Sequence, residues 1–83
     1  MKLIYFAWVR SRIGLAEEEV TPPSEVRDVA SLLTWLTGRG PGYAAALAVP
    51  GTVRVAVNQT YARLDQSIHP NDEVALFPPV TGG

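Results

Sequence analysis

Cysteine is absent from the 83-residue chain, which excludes disulfides, thiolate nucleophiles and cysteine-bound zinc. A single histidine excludes a histidine metal cluster as well, so no metal site is expected. Excess charge of either sign is also missing. Seven Lys plus Arg stand against eight Asp plus Glu, for a formal net charge of -1, and the basic field that nucleic-acid binding normally needs is not there. Long apolar runs are lacking too: Tyr43 to Val49 falls far short of the ~20 residues of a membrane helix. Met1 to Val9 has the look of a signal-peptide hydrophobic region, but Arg10 and Arg12 follow and no small-residue cleavage site appears. The stretch reads as a strand, and the protein is expected in the cytoplasm without membrane contact. Lysine is nearly absent, Lys2 being the only one beside six arginines. The length falls below the ~100 to 200 residues of a typical domain, which predicts a single domain with little room for a catalytic cleft.

Residues 2–10 are β-branched and aromatic and predict a first strand, with Leu3, Tyr5, Ala7 and Val9 facing the core. Ile4, Phe6 and Trp8 then face outward, flanked by Lys2 and Arg10. Ser11 to Gly14 reads as a turn. Leu15 to Val20 reads as a weaker strand whose Glu17-Glu18-Glu19 run forms a solvated edge. Thr21-Pro22-Pro23 interrupts the chain, and Ser24 is placed to cap a helix beginning at Glu25. Val26, Val29, Leu32, Leu33 and Leu36 give that helix an apolar stripe, and Gly38 to Gly42 ends it. Tyr43 to Ala48 predicts a second short helical segment. Strand character returns at Thr52 with Val53, Val55 and Val57 inward; Tyr61 to Leu64 reads as an edge strand and Glu73 to Phe77 as a last strand burying Val74 and Leu76. This order predicts an α+β fold of the β-grasp type, a mixed sheet of four or five strands on one main helix. The domain is expected over residues 1–77, with an extended tail over 78–83.

That tail, following Phe77, is Pro78-Pro79-Val80-Thr81-Gly82-Gly83. Two consecutive prolines lack backbone donors and favour an extended course, so the chain is expected to leave the sheet. Extended at ~3.3 Å per residue it reaches about 20 Å, far enough to enter another protein. Gly82 and Gly83 have no Cβ, which lets the carboxylate of Gly83 pass a channel too narrow for side chains. With an ordinary pKa near ~3.5 that carboxylate is an anion at neutral pH and a poor electrophile. Adenylation would convert it to a mixed anhydride, and attack by sulfur would leave a thiocarboxylate. Since the chain has no cysteine, sulfur carried by it would have to sit there. The blander reading is a frayed Gly-Gly terminus; Pro-Pro directly after an intact strand weighs against it.

Phe6-Ala7 followed by Val9-Arg10, Val57-Asn58-Gln59-Thr60, Asn71-Asp72-Glu73-Val74 and the terminal Phe77 to Gly83 resemble the MoaD-type sulfur carriers, the small subunits of molybdopterin synthase. The similarity is dense from about residue 52 onward and general in pattern from Gly14 to Gly51. The resemblance implies a ubiquitin-like β-grasp fold and a Gly83 that is adenylated by an activating enzyme of the ubiquitin-E1 type. A sulfur donor protein then converts it to a thiocarboxylate. It further implies that the tail, Pro78 to Gly83, inserts into the large synthase subunit, in an assembly of two small and two large subunits. There sulfur passes to cyclic pyranopterin monophosphate and builds the dithiolene of molybdopterin. AMP and sulfur are the only groups carried, both covalent and transient, and the catalytic site is expected in the large subunit. Phe6, Tyr61 and Phe77 fall at or near positions where the family uses apolar residues against its partners.

The residues themselves point the same way. Phe77 alternates with Leu76, and Phe6 with Tyr5 and Ala7, so both aromatics are expected on the sheet face turned from the helix, together with Arg10 and Arg54. An exposed aromatic patch marks a partner surface, whereas a single arginine is more often merely solvated. Gly38-Arg39-Gly40-Pro41-Gly42 lacks the ending of a phosphate loop and reads as a helix-terminating loop. His69 reads as a solvated turn residue. Two other classes use the same tail. A ubiquitin-like modifier would join Gly83 to lysines of target proteins, although only Lys2 and the N-terminal amine could accept another copy. A thiamine-pathway sulfur carrier also ends in Gly-Gly, but the Phe-Pro-Pro-Val-Thr run argues against it.

Overall fold

The computed structural model describes residues 1–49 and 51–79. Strand β1 covers Lys2–Tyr5, and its alternation buries Leu3 and Tyr5. The strand expected to reach residue 10 stops there. Phe6 is the extended N-cap of helix α1, Ala7–Ile13, and its carbonyl accepts from the N–H groups of Val9 (3.1 Å) and Arg10 (3.3 Å). Strand and helix periods both turn Val9 inward, so its apolarity did not discriminate between them. The deciding features lie at the far end. Arg10 and Arg12 occupy the last turn, where cations favour the helix dipole, and Gly14 closes it in the left-handed conformation at φ 91°. Ala7 enters the helix at φ 52°, a region that side chains rarely adopt.

Strand β2 is Glu17–Glu19, antiparallel to β1. Helix α2 spans Val29–Thr37, four residues later than the Ser24 cap predicts. The reason is a better cap downstream. The Asp28 carboxylate accepts from the Ser31 N–H (2.8 Å), while Ser31 Oγ accepts from the Asp28 N–H (3.1 Å). The segment before it is held extended: the Ile68 N–H donates to the Arg27 carbonyl and the Val29 N–H to the Gln66 carbonyl, both at 3.0 Å. Helix α3, Pro41–Ala46, starts with proline in its first turn. It lies so close to α1 that a Cβ on Gly42 would stand 2.6 Å from the Arg12 carbonyl oxygen.

Strand β3 is Arg54–Val57, β4 is Thr60–Tyr61 and β5 is Glu73–Phe77. The sheet order is β2-β1-β5-β3-β4, with β1 and β5 parallel and the other neighbours antiparallel. This is the expected mixed β-grasp sheet, with β2 and β4 as its edges. One face supplies the core: Leu3, Tyr5, Val55, Val57, Val74 and Leu76 pack with Val9, Val29, Leu32, Leu36 and Ala46 from the helices. The last strand buries Val74 and Leu76 as its alternation predicts.

Candidate functional site

Register places the residues that alternate with the core positions of β1, β3 and β5 on the opposite face. Ile4 pairs with Ala75, Ala75 with Ala56, Ala56 with Tyr61, and Arg54 with Phe77. Cross-strand partners share a face, so Ile4, Ala75, Ala56, Tyr61 and Phe77 form an apolar band across the sheet that takes no part in the core. The rings of Tyr61 and Phe77 are 5.7 Å apart at 52°, and Tyr61 is 74% exposed. Beside them a hollow of about 300 Å³ is lined by Arg54, Val55, Tyr61, Ala62 and Phe77.

Phe6 belongs to the same end of the sheet. It follows Tyr5, which pairs with Leu76, and its N–H donates to the Leu76 carbonyl at 3.1 Å. Its side chain is 49% exposed. The backbone thus brings Phe6 level with the end of β5, where Phe77 stands. Pro78 and Pro79 follow β5 outside any strand. Val80, Thr81, Gly82 and Gly83, the remaining expected tail residues, lie outside the described residues. Arg10 does not share the strand face with Arg54 as expected. It is exposed on α1, because the chain turns into a helix after Phe6.

A tight turn fixes where β5 begins. Asn58 and Gln59 link β3 to β4 with φ of 50° and 69°, the two positive values of a right-twisted two-residue hairpin. Asn58 also reaches across to the neighbouring strand. Its Nδ2 donates to Asp72 (3.0 Å), its Oδ1 accepts from the Glu73 N–H (3.0 Å), and its own N–H donates to the Glu73 carbonyl (2.7 Å). Thus the Val57-Asn58-Gln59-Thr60 sequence sets the register of the strand that ends at Phe77.

The glutamate run holds one side chain that sequence reasoning assigned to solvent. Glu18 alternates with exposed Glu17 and Glu19 and points inward. Its carboxylate accepts from the hydroxyls of Tyr5 (2.7 Å) and Tyr43 (2.6 Å) and from Arg39 (3.0 Å). Arg39 lies over the rings of Trp35 and Tyr43, at 5.0 and 5.1 Å. Burial raises the Glu18 pKa, but the bonds from Tyr43, Tyr5 and Arg39 outweigh it and hold the carboxyl below its ordinary value. Burial and the bond to Glu18 push the Tyr5 hydroxyl up. The cluster ties edge strand β2 to α3 and contains no free nucleophile, so its role is structural. Alternation alone, with Leu3 as the partner of Glu18, was the signal that could have found it. Glu18→Ala is expected to cost about 1–3 kcal/mol in denaturant unfolding, because it strands the buried Tyr5 hydroxyl. A depressed folded pKa stabilises above the unfolded value near ~4.3 and the gain is lost as pH falls below it. The variant should therefore lose less stability on acidification than the parent.

A larger hollow of about 730 Å³ lies at the end where β1 and β5 begin, with Val20, Pro22, Arg27, Ile68 and His69 among its lining. His69 there is an exposed turn residue, as expected, and its backbone N–H donates to Asp72 at 2.7 Å. Among the described residues no group of His, Asp and Glu is placed to hold a metal, and no helix is long and apolar enough to cross a membrane.

Known proteins are similar to this chain in architecture and in sequence. The family whose model matches the chain is the ThiS family, over residues 3–83. The molybdopterin synthase sulfur carrier subunit of Escherichia coli K12 is 37% identical over 83 residues, covering 100% of this chain and 99% of that protein. A putative molybdopterin converting factor subunit 1 from Pyrococcus furiosus superposes with a TM-score of 0.80 at 29% identity, covering 95% of each chain. The small archaeal modifier protein 1 of Haloferax volcanii superposes with a TM-score of 0.77 at 26% identity, covering 96% of this chain and 97% of that one.

Proposed function

Because the chain belongs to the ThiS family, we propose that it is the sulfur carrier subunit of a molybdopterin synthase. The observation that carries this reading is the junction at Phe77, where the apolar outer band ends and Pro78-Pro79-Val80-Thr81-Gly82-Gly83 begins. A handle and a reactive end are thereby joined at one residue. The relatives named as sulfur carrier subunits add weight along the whole length of the chain.

In this function the Gly83 carboxylate attacks the α-phosphorus of ATP, releasing pyrophosphate, on an activating enzyme of the ubiquitin-E1 type. The outer sulfur of a donor protein's persulfide displaces AMP. A second thiolate of the donor system then cleaves the resulting acyl disulfide at its S–S bond, leaving the thiocarboxylate on Gly83 and a disulfide on the donor. The outer band, with Phe6, Tyr61 and Phe77, docks on the large synthase subunit, and the tail from Pro78 to Thr81 threads toward that subunit's site. Sulfur moves there to cyclic pyranopterin monophosphate, and a second loaded carrier supplies the other dithiolene sulfur. This chain provides binding, reach and the acyl group. Two copies flank a dimer of the large subunit, and Arg10 contacts the partner from α1. AMP and sulfur are its only passengers, each covalent, and the work takes place in the cytoplasm.

The small archaeal modifier likeness favours a second reading, conjugation of Gly83 to lysines of other proteins. Intact mass measurement after incubation with ATP, the activating enzyme, a sulfur donor and a lysine-bearing extract separates the two. Sulfur in place of one oxygen is the expected result. Adducts with foreign proteins and no thiocarboxylate would replace the carrier by a modifier, and dithiolene formation with the large subunit and pyranopterin excludes thiamine-pathway service.

A further inference from the structure

Among the described strand residues Arg54 is the one charged residue at the Phe77 end of the outer face. It opens β3, pairs across the strand with Phe77 and lines the hollow that Tyr61 and Phe77 wall. Its side chain is exposed. The other charges of this face, Lys2, Glu17, Glu19 and Glu73, gather where β1 and β5 begin: Lys2 pairs with Glu73 in the sheet and with Glu17 as an ion pair at 3.5 Å, and Glu19 lies 3.8 Å from the N-terminal amine. At the hairpin side Arg63 has Asp65 at 3.6 Å. Among the described residues Arg54 has no ion-pair partner.

An unpaired cation beside the apolar band is harmless while water reaches it. Docking changes that. Covering Phe77 and Tyr61 removes solvent from Arg54, the cross-strand partner of Phe77 that lines the same hollow, and burying a lone guanidinium is strongly unfavourable unless an anion or a set of acceptors meets it. The planar fork of arginine matches a carboxylate with two parallel bonds, which a single carbonyl cannot do.

We propose that the docking surface of the large subunit presents a carboxylate to Arg54, seated at the rim of the Tyr61 and Phe77 hollow, and that this pair fixes the register in which the tail enters. The proposal rests on the outer face being the interface. It adds a specific partner chemistry, an acidic side chain or chain terminus set in otherwise apolar surroundings.

The test measures binding of the full-length chain to the large subunit of the same organism by calorimetry, with Arg54→Met, Arg54→Lys, Arg54→Glu and Phe77→Ala. Arg54→Met keeps the stem and removes the charge, and should weaken the complex roughly tenfold or more, since it leaves the partner's carboxylate buried without a counter-ion. Arg54→Lys should lose less than Arg54→Met, and Arg54→Glu should lose about another tenfold from like-charge repulsion. Unchanged melting curves confirm that the fold is intact. Arg54→Met binding as tightly as the parent, or Arg54→Glu no worse than Arg54→Met, overturns the proposal. If Phe77→Ala still weakens binding in that case, the interface stands and only the carboxylate is wrong. If Phe77→Ala is also silent, the docking face itself is misassigned.

Discussion

A chain shortened to end at Gly82 is expected to donate no measurable sulfur, with turnover at about 1% of the parent or less. Losing one residue withdraws the acyl carbon by ~3.3 Å, and a misplacement of even ~1 Å at a reacting centre costs ~10²-fold. One residue added after Gly83 should be as damaging, since the carbonyl at Gly83 becomes a peptide and the new terminus carries a side chain. Both changes lie beyond Phe77, the last residue of β5, so melting should not move. Single-turnover formation of dithiolene product by the reconstituted synthase, alongside thermal unfolding, measures both halves. Sulfur transfer at the parental rate from either variant would show that Gly83 is not the carrier atom's home.

Phe77→Ala is expected to weaken binding to the large subunit by roughly 30-fold to 1,000-fold, the range of a central aromatic anchor. Its cost to folding should stay under about 2 kcal/mol, below the ~3–5 kcal/mol of a wholly buried phenylalanine. The separation follows from position on the strand. Leu76 is 0% exposed in the core, whereas Phe77 points to the other face and meets Tyr61 there. Calorimetric binding and denaturant unfolding of the same preparation distinguish the two losses. Equal losses in both would make Phe77 a structural residue and remove the patch from the interface.

The parts of this fold set by alternation were legible in the sequence, because a period of two leaves one answer once a face is apolar. Val74 and Leu76 inward with Phe77 outward followed from that rule, and so did Val55 and Val57. Short helices were less legible. Over seven residues α1 has one fully buried contact, Val9, and its capping signals at Gly14 and Arg12 were open to a turn reading. At α2 two caps competed, and Asp28 with Ser31 won over Ser24 because tertiary bonds from Gln66 and Ile68 hold the preceding residues extended. Glu18 departs from the solvated edge for a related reason. A run of three acids looks solvated, yet in a strand its middle member points the other way, where two tyrosine hydroxyls donate to it and an arginine supplies the counter-charge. Nothing in the local pattern singles out Asn58 beyond the family likeness, whereas its bonds to Asp72 and Glu73 give it a physical role.

The parallel pairing of β1 with β5, flanked by β3, puts the strand that comes latest in the chain among the described residues at the middle of the sheet. During translation β1 and β3 emerge with no strand between them, and neither half of the hydrophobic layer can close until residue 77 has left the ribosome. Folding must wait for its most distant contacts. The strand that completes the sheet is also the one that carries Phe77, so the outer aromatic pair with Tyr61 assembles only as the core on the other face closes.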